Sequence, residues 1–443
     1  MREDLVQAVR RLARRPGFTV VAVATLTLGI AGATAIFSVT HAVVLRELPY
    51  AEPERLVLAW QRDEARHVAF LEMSYPTYRH WREASRVFDD LAGLPSTNQT
   101  WTLSESGDPA TLVGRLVTAS FFPVLGVEPA LGRTLRPEDD RRGAARVVVL
   151  GYALWRDRFG GDPGIVGRAI TLDREPFTVV GVVPAGFAYP KGAQLWTPLV
   201  PGVGELAEQP GVWWMSAIGR LRPGVALATA EREMSELTGR YHLETYQAEG
   251  IAAVLTPFHE AVLGPTRPVL LALLGGVALV LLLACANVAA LQAVRVAERA
   301  PELAVRSALG ASRARLARAL VAESVVLSVT GGATGTLAAA ALLPGLVALS
   351  PQDVPRLAEA RLDGATLVAA LAVTAVAALA TGLLPLLALE RRSLRDPLAS
   401  VSRSVAPGGS RLRGALVAAQ VALSLAVLVG AGLLLRSFAA LRD

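Results

Sequence analysis

Few residues of this 443-residue chain have types and spacings that could do chemistry. The five histidines, His41, His67, His80, His242 and His259, are scattered; no H-E-x-x-H pair could seat a zinc ion, and no cysteines stand beside them. His259 and Glu260 are adjacent, but no second histidine follows four residues after the first. No G-x-S-x-G elbow presents a serine nucleophile. Lys191, between Pro190 and Gly192, is the sole lysine, so no G-x-x-x-x-G-K-[ST] loop can be built to cradle a nucleotide phosphate. Cys285 is the sole cysteine and lies in a long apolar run, where it reads as a small apolar filler without a disulfide. These residues offer no catalytic, metal-binding or cofactor-binding set. Any ATP-driven work must come from another polypeptide.

One charged stretch is placed to do mechanical work. Arg295-Val-Ala-Glu-Arg-Ala-Pro-Glu302-Leu-Ala-Val-Arg306-Ser-Ala-Leu-Gly310-Ala-Ser-Arg313 is clamped between two apolar runs, Val269–Val294 and Ala319–Leu343. Both runs approach or exceed the ~20 apolar residues that cross a bilayer as a helix. A segment tethered in this way lies on the membrane surface, where a soluble partner can push it. Glu302 and Arg306 are four apart in the order that favours a helix, and Leu303, Val305 and Leu309 give that helix an apolar side. The plainer alternative is a surface helix that only anchors a basic loop.

The elements that must position this segment are membrane spans. Hydrophobic residues make up 52% and charged residues 19%, below the ~25% usual for a soluble domain. The expected organisation runs from a basic N-terminal cytoplasmic helix (1–17) through a first span (18–40) to a large extracytoplasmic domain (41–266). A second span (267–294), the cytoplasmic segment (295–318) and a third span (319–344) follow. A short outer loop (345–363), a fourth span (364–389), a cytoplasmic linker (390–413) and a fifth span (414–435) complete the order. Phe18–Thr40 has too long an uncharged run for a signal peptide and reads as a retained anchor. Orientation follows from arginine: Arg10, Arg11, Arg14 and Arg15 precede the first span, and further arginines crowd 295–318 and 391–413, against only Arg356 and Arg361 between spans three and four. The positive-inside bias places the N-terminus and both basic loops in the cytoplasm. The net charge of +6 is then a topology signal and argues against a nucleic-acid partner.

The outer domain reads as α+β. Arg55–Trp60 and Arg146–Leu150 have strand composition, and Ala169–Leu172 with Phe177–Val183 form a hairpin turning at Asp173–Glu175. Ser74 caps a helix that places Tyr78, Trp81 and Phe88 near one face. A second helix carries Ala230, Met234, Leu237 and Tyr241 as a buried stripe and lacks a polar N-cap at Val225-Ala226. Trp81, Trp101, Trp155, Trp196, Trp213 and Trp214 read as packing residues and not as a ligand cage. Within the spans, Gly331 and Gly335 have small-xxx-small spacing and Gly275–Gly276 are also small, which suits close helix packing. Glu323, at the start of the third span, is expected to snorkel or to face the bundle near the cytoplasmic surface.

Leu28-Gly-Ile-Ala-Gly-Ala-Thr-Ala-Ile-Phe-Ser-Val39, followed by Leu45-Arg-Glu-Leu-Pro-Tyr-Ala-Glu-Pro-Glu-Arg-Leu56, resembles the opening of MacB/FtsX-like ABC permeases, closest to the duplicated orphan-permease branch of acidobacterial type. Phe121-Phe-Pro-Val-Leu-Gly-Val-Glu-Pro-Ala-Leu-Gly-Arg133, Leu154-Trp-Arg-Asp-Arg-Phe-Gly-Gly-Asp-Pro163, Val179-Val-Gly-Val-Val-Pro184 and Leu221-Arg-Pro-Gly224 resemble the MacB-like periplasmic core. Glu302-Leu-Ala-Val-Arg-Ser-Ala-Leu-Gly-Ala311 resembles the segment that docks on the ATPase subunit. The resemblance implies an α-helical transmembrane bundle of four spans plus a fifth, with a MacB-like α+β core domain between spans one and two, in a bacterial inner membrane. It implies a permease subunit without cofactors that takes a separate ABC ATPase as partner and pairs as a homodimer, or as a pseudo-dimer with a second permease half. Glu302, Leu303, Val305, Arg306, Leu309 and Gly310 would form the ATPase-coupling surface. The function implied is export of a substrate from the periplasmic side, with a periplasmic adaptor as further partner. Regulation of an envelope enzyme, as in the cell-division branch, stays open beside it. Arg411-Leu-Arg-Gly-Ala-Leu-Val-Ala-Ala-Gln420 and the fifth span resemble the start of a second repeat, so the chain is expected to be half of a duplicated protein or a truncated one.

Overall fold

The computed structural model describes residues 2–46, 48–104, 109–187, 189–205, 209, 211–264, 266–298, 313–349, 357, 360–390 and scattered positions between 418 and 432. Two compact units divide the chain, one formed by Met1–Arg46 with Pro265–Asp443 and the other by Glu47–Gly264.

The first unit is helical. Helix α1 (Arg2–Ala13) ends in Arg10 and Arg11, which suit the negative end of its dipole. The chain breaks at Arg14 and Arg15, and Pro16 opens α2 (Pro16–Thr40) where its missing N–H costs nothing. Thr19 Oγ1 donates to the Leu12 carbonyl at 2.8 Å, which fixes the α1–α2 corner. Beyond Thr40 the helix widens into a π turn, His41–Leu45. Helices α9 (Thr266–Glu298), α10 (Arg313–Leu349) and α11 (Gly364–Glu390) complete the unit. Among the described residues, Pro16–Leu45, Thr266–Val296, Leu320–Ala348 and Gly364–Leu383 are long and apolar enough to cross a membrane. α2 packs against all three of the other long helices. Its residues Ala22, Leu26, Ile30, Ala31 and Ala35 are buried, and the small ones let the neighbours approach. The expected fifth span falls largely outside the described residues.

The second unit is α+β. An antiparallel sheet has the order β12-β1-β11-β3, built from β1 (Leu56–Asp63), β3 (Phe88–Pro95), β11 (Met215–Leu221) and β12 (Ile251–Pro257), with β2 (Val68–Leu71) added on β1. A mixed sheet has the order β6-β9-β7-β10-β5-β4-β8. Its strands are β4 (Gln99–Leu103), β5 (Ala110–Val117), β6 (Leu131–Gly132), β7 (Val147–Leu150), β8 (Ala169–Leu172), β9 (Glu175–Val182) and β10 (Leu195–Pro198). Because β8 pairs with both β9 and β4, six of these strands close into a ring, which removes the free edges that invite aggregation. The helices are α3 (Tyr75–Ala84), α4 (Phe121–Leu125), α5 (Tyr152–Phe159), α6 (Leu199–Val203), α7 (Leu227–Tyr246) and α8 (Phe258–Leu263).

Local chemistry explains several of these boundaries. Ser74 Oγ accepts from the Thr77 amide and caps α3. The β8–β9 hairpin turns through Asp173 and Arg174, both in the left-handed region that a tight two-residue turn requires. Asp173 accepts from the Thr102 amide at 2.7 Å, which ties that turn to β4. Two sequence expectations need correction. The capped helix stops at Ala84, and Phe88 opens β3 instead of continuing the helix face. In α7 the fully buried stripe is Ala230, Met234, Thr238 and His242, while Leu237 and Tyr241 flank it half-buried. A strict four-residue step follows the helix side nearest the sheet, and it carries two polar residues inward.

Candidate functional site

Residues 299–312, with Glu302, Leu303, Val305, Arg306, Leu309 and Gly310, lie outside the described residues. The structure does describe both flanks of that segment, the end of α9 and the start of α10, and a polar cluster joins them to the N-terminal helix. Arg11 Nη1 is 3.4 Å from Glu323 Oε1 in α10. Arg15 Nη1 is 3.3 Å from Glu298 Oε2 at the end of α9. Arg295, one turn earlier in α9, lies with its guanidinium carbon 4.0 Å from the centre of the Phe18 ring in α2. Deeper in the bundle, Ser324 Oγ donates to Gln292 Oε1 at 3.0 Å and joins α10 directly to α9.

These contacts differ in weight. Arg15 and Glu298 are both more than half exposed, and such pairs contribute about 0–1 kcal/mol. Glu323 is only 9% exposed on its side chain. Of the two ion pairs, Arg11–Glu323 is the more enclosed and so weighs more than Arg15–Glu298. Leu12 and Ala8 are buried beneath α1, and Leu12 joins a core with Leu26, Leu281, Cys285, Val288 and Leu327. The helix is therefore seated by apolar contact and oriented by charge.

The glycines divide by surface. A Cβ at Gly331 would lie 2.7 Å from Leu26 Cβ, and one at Gly335 would lie 3.0 Å from the Thr27 carbonyl oxygen, so α10 meets α2 backbone to backbone. Thr27 and Thr334 hydroxyls meet at 2.6 Å on the same seam. Gly29 and Gly332, which the sequence reading did not single out, also face close neighbours in Leu281 and Thr374. Gly275 and Gly276 have no described neighbour within 4 Å.

At the opposite end of the bundle the π turn of α2 meets the start of α11. His41 Nδ1 is 3.4 Å from Asp363 Oδ2, and Ser38 donates to the Arg361 carbonyl at 2.9 Å. Asp363 also caps α11 by accepting from the Thr366 amide and hydroxyl.

In the second unit, His242 is fully buried, with its Nε2 2.6 Å from Gln61 Nε2. Either Gln61 donates to a neutral imidazole, or its amide is turned and accepts from it. Burial holds the imidazole pKa down at about 4. The remaining histidines stay dispersed, and among the described residues no group of three or more His, Cys, Asp or Glu could hold a metal ion.

Residues 19–237 match the MacB-like periplasmic core domain, and residues 274–394 match the FtsX-like permease C-terminal domain. The two matches lie in the order of a MacB-like core domain followed by an FtsX-like permease domain, and they support a place in the MacB/FtsX permease family. It is 27% identical over 259 residues to the macrolide export ATP-binding/permease protein MacB of Burkholderia thailandensis, covering 57% of this chain and 38% of that protein. Identity to MacB of Escherichia coli K12 is 24% over 265 residues, covering 56% of this chain and 39% of that protein. The chain thus spans about two fifths of the length of the curated relatives it matches. The crystallised periplasmic region of MacB from Actinobacillus actinomycetemcomitans aligns at 16% identity with a TM-score of 0.35, over 45% of this chain and 88% of that one.

Proposed function

We propose that this MacB/FtsX-type permease transmits force from a separate ABC ATPase, docked on residues 302–311, to its MacB-like domain on the far side of the membrane. The single observation that carries the reading is the clustering of charged contacts at the two flanks of that segment. Arg295, Glu298 and Glu323 all bond to the N-terminal helix or to the head of the first span. A loop that merely anchored the chain would need arginines facing headgroups, not a buried acid paired with an arginine of the N-terminal helix. In this reading the N-terminus and residues 295–318 are cytoplasmic, and the large domain is periplasmic, in the inner membrane of a bacterium. Glu302, Leu303, Val305, Arg306, Leu309 and Gly310 form the docking surface. Two permease halves, from one duplicated protein or from two chains, close together when the ATPase binds ATP. Gly331 and Gly335 hold the spans as one body, so that displacement at one end is carried to the other. The work done outside is expulsion of a substrate captured from the periplasm, which requires no polar pathway through the spans.

The test is affinity purification of the detergent-solubilised chain in the presence of an ATP analogue, with partners identified by mass spectrometry. The expected result is recovery of an ABC ATPase that is lost in Leu309→Asp while membrane insertion is unchanged. Undiminished recovery in that variant would remove the segment from the docking surface. An envelope hydrolase copurifying in place of an adaptor and outer-membrane channel would replace export by regulation of that hydrolase.

A further inference from the structure

The arginines before a first span ordinarily need only water and lipid headgroups, and their number is enough to set topology. Two of the four here are committed elsewhere. Arg11 reaches Glu323, a carboxylate largely enclosed in the bundle, and Arg15 reaches Glu298. Their partners lie 312 and 283 residues away in sequence, on the two helices that enter and leave residues 299–312. Arg295 closes the cluster by folding back over Phe18, where the aromatic face attracts the guanidinium. The Thr19–Leu12 hydrogen bond then ties the end of α1 to the head of α2. α2 leads in sequence through its π turn to Arg46, the last residue before the second unit.

We propose that α1 and the head of α2 form a clasp that joins both flanks of the coupling segment to the first span, with Arg11 and Arg15 as its positioning residues. Displacement of the segment is thereby delivered to the span that feeds the outer domain, and not only to the spans on either side of the segment. The clasp itself follows from the contacts. Its role in coupling rests on the proposed function.

The experiment uses the full chain in nanodiscs, in a Cys285→Ala background, with spin labels at Val6→Cys and Val321→Cys, both exposed positions of α1 and α10. Arg11→Gln with Arg15→Gln leaves Arg10 and Arg14 to maintain topology. The wild-type pair should give one narrow distance distribution, and the double glutamine variant a broad one. Arg11→Lys with Arg15→Lys, which keeps the charges, should restore the narrow one. A distribution unchanged by the glutamines would overturn the clasp. In a second arm, the ABC ATPase recovered with the wild-type chain is assayed with each variant. The glutamine variant should still bind it but lose about 10-fold of chain-stimulated turnover, a coupling of the size common between linked sites, and the lysine variant should recover it. Undiminished stimulation would overturn the positioning role, as would loss of ATPase binding, which would assign the arginines to the docking surface. If no ATPase is recovered with the wild type, the proposed function fails, and the distance arm alone decides the clasp.

Discussion

The two units of this chain solve the same packing problem with different materials. The outer unit buries large side chains, with Trp81, Trp196, Tyr78, Phe121, Phe122 and Phe258 fully enclosed, and places polar pairs such as Gln61–His242 and Thr118–Ser120 inside. The helical unit encloses mostly Ala, Leu and Gly, and its helices meet at Gly29, Gly331, Gly332 and Gly335. Water rewards burial of aromatic area, whereas lipid tails are as apolar as leucine and reward only close approach and polar contacts between helices. Each unit is vulnerable in its own way: the outer one to cavities and to protonation of a buried group, the helical one to added bulk at a seam and to loss of the few charges at its end.

The largest expected effect breaks the outer unit alone. Trp81→Ala empties a fully buried site and should cost about 3–5 kcal/mol. Limited proteolysis should then cleave between residues 47 and 264 while the spans remain inserted; equal loss of both units would mean they do not fold separately. Next comes pH. Burial holds the His242 pKa near 4, below its ordinary 6.5, so the neutral form stabilises the fold fully above about pH 6.5. That contribution, on the order of 2–3 kcal/mol, is lost as pH falls from 6.5 towards 4. Chemical denaturation of the outer unit across this window should show the loss, and His242→Gln should flatten it. In the helical unit, Gly335→Leu forces a side chain against the Thr27 carbonyl and should cost about 1–3 kcal/mol. Thermal unfolding in detergent should register this, with the near-ultraviolet dichroism of the outer aromatics unchanged. The smallest effect belongs to Ser324→Ala, which removes one interhelical hydrogen bond of about 0.6 kcal/mol.

Legibility differed between the units for the same reason. Spans are readable because lipid demands long apolar runs, and the runs at Val269–Val294 and Ala319–Leu343 show where a charged segment must be tethered. The clasp is not readable, because Arg11 and Arg15 look like any topology arginines and their partners are hundreds of residues distant. Small-residue spacing singles out Gly331 and Gly335, yet Gly275 and Gly276 are equally small and face no described neighbour; spacing cannot say which surface a partner occupies. In the outer unit, the local hairpin and the Ser74 cap were legible, since each is decided within a few residues. The ring closure between β4 and β8 was not, because it depends on Leu103 meeting Leu172. His242 had a signal, its four-residue step from Ala230, Met234 and Thr238, but its polarity directed attention to Leu237 and Tyr241.

The most direct measurement of force transmission is the distance between the outer unit and the bundle, followed through the nucleotide cycle. Labels at Glu236→Cys on α7 and Val321→Cys on α10, in the Cys285→Ala chain reconstituted with its ATPase, would report it. The expected result is a distance distribution that shifts between the ATP-bound and nucleotide-free states, and a shift that disappears in Leu309→Asp. A distribution identical in both states, with the ATPase bound and turning over, would contradict the account.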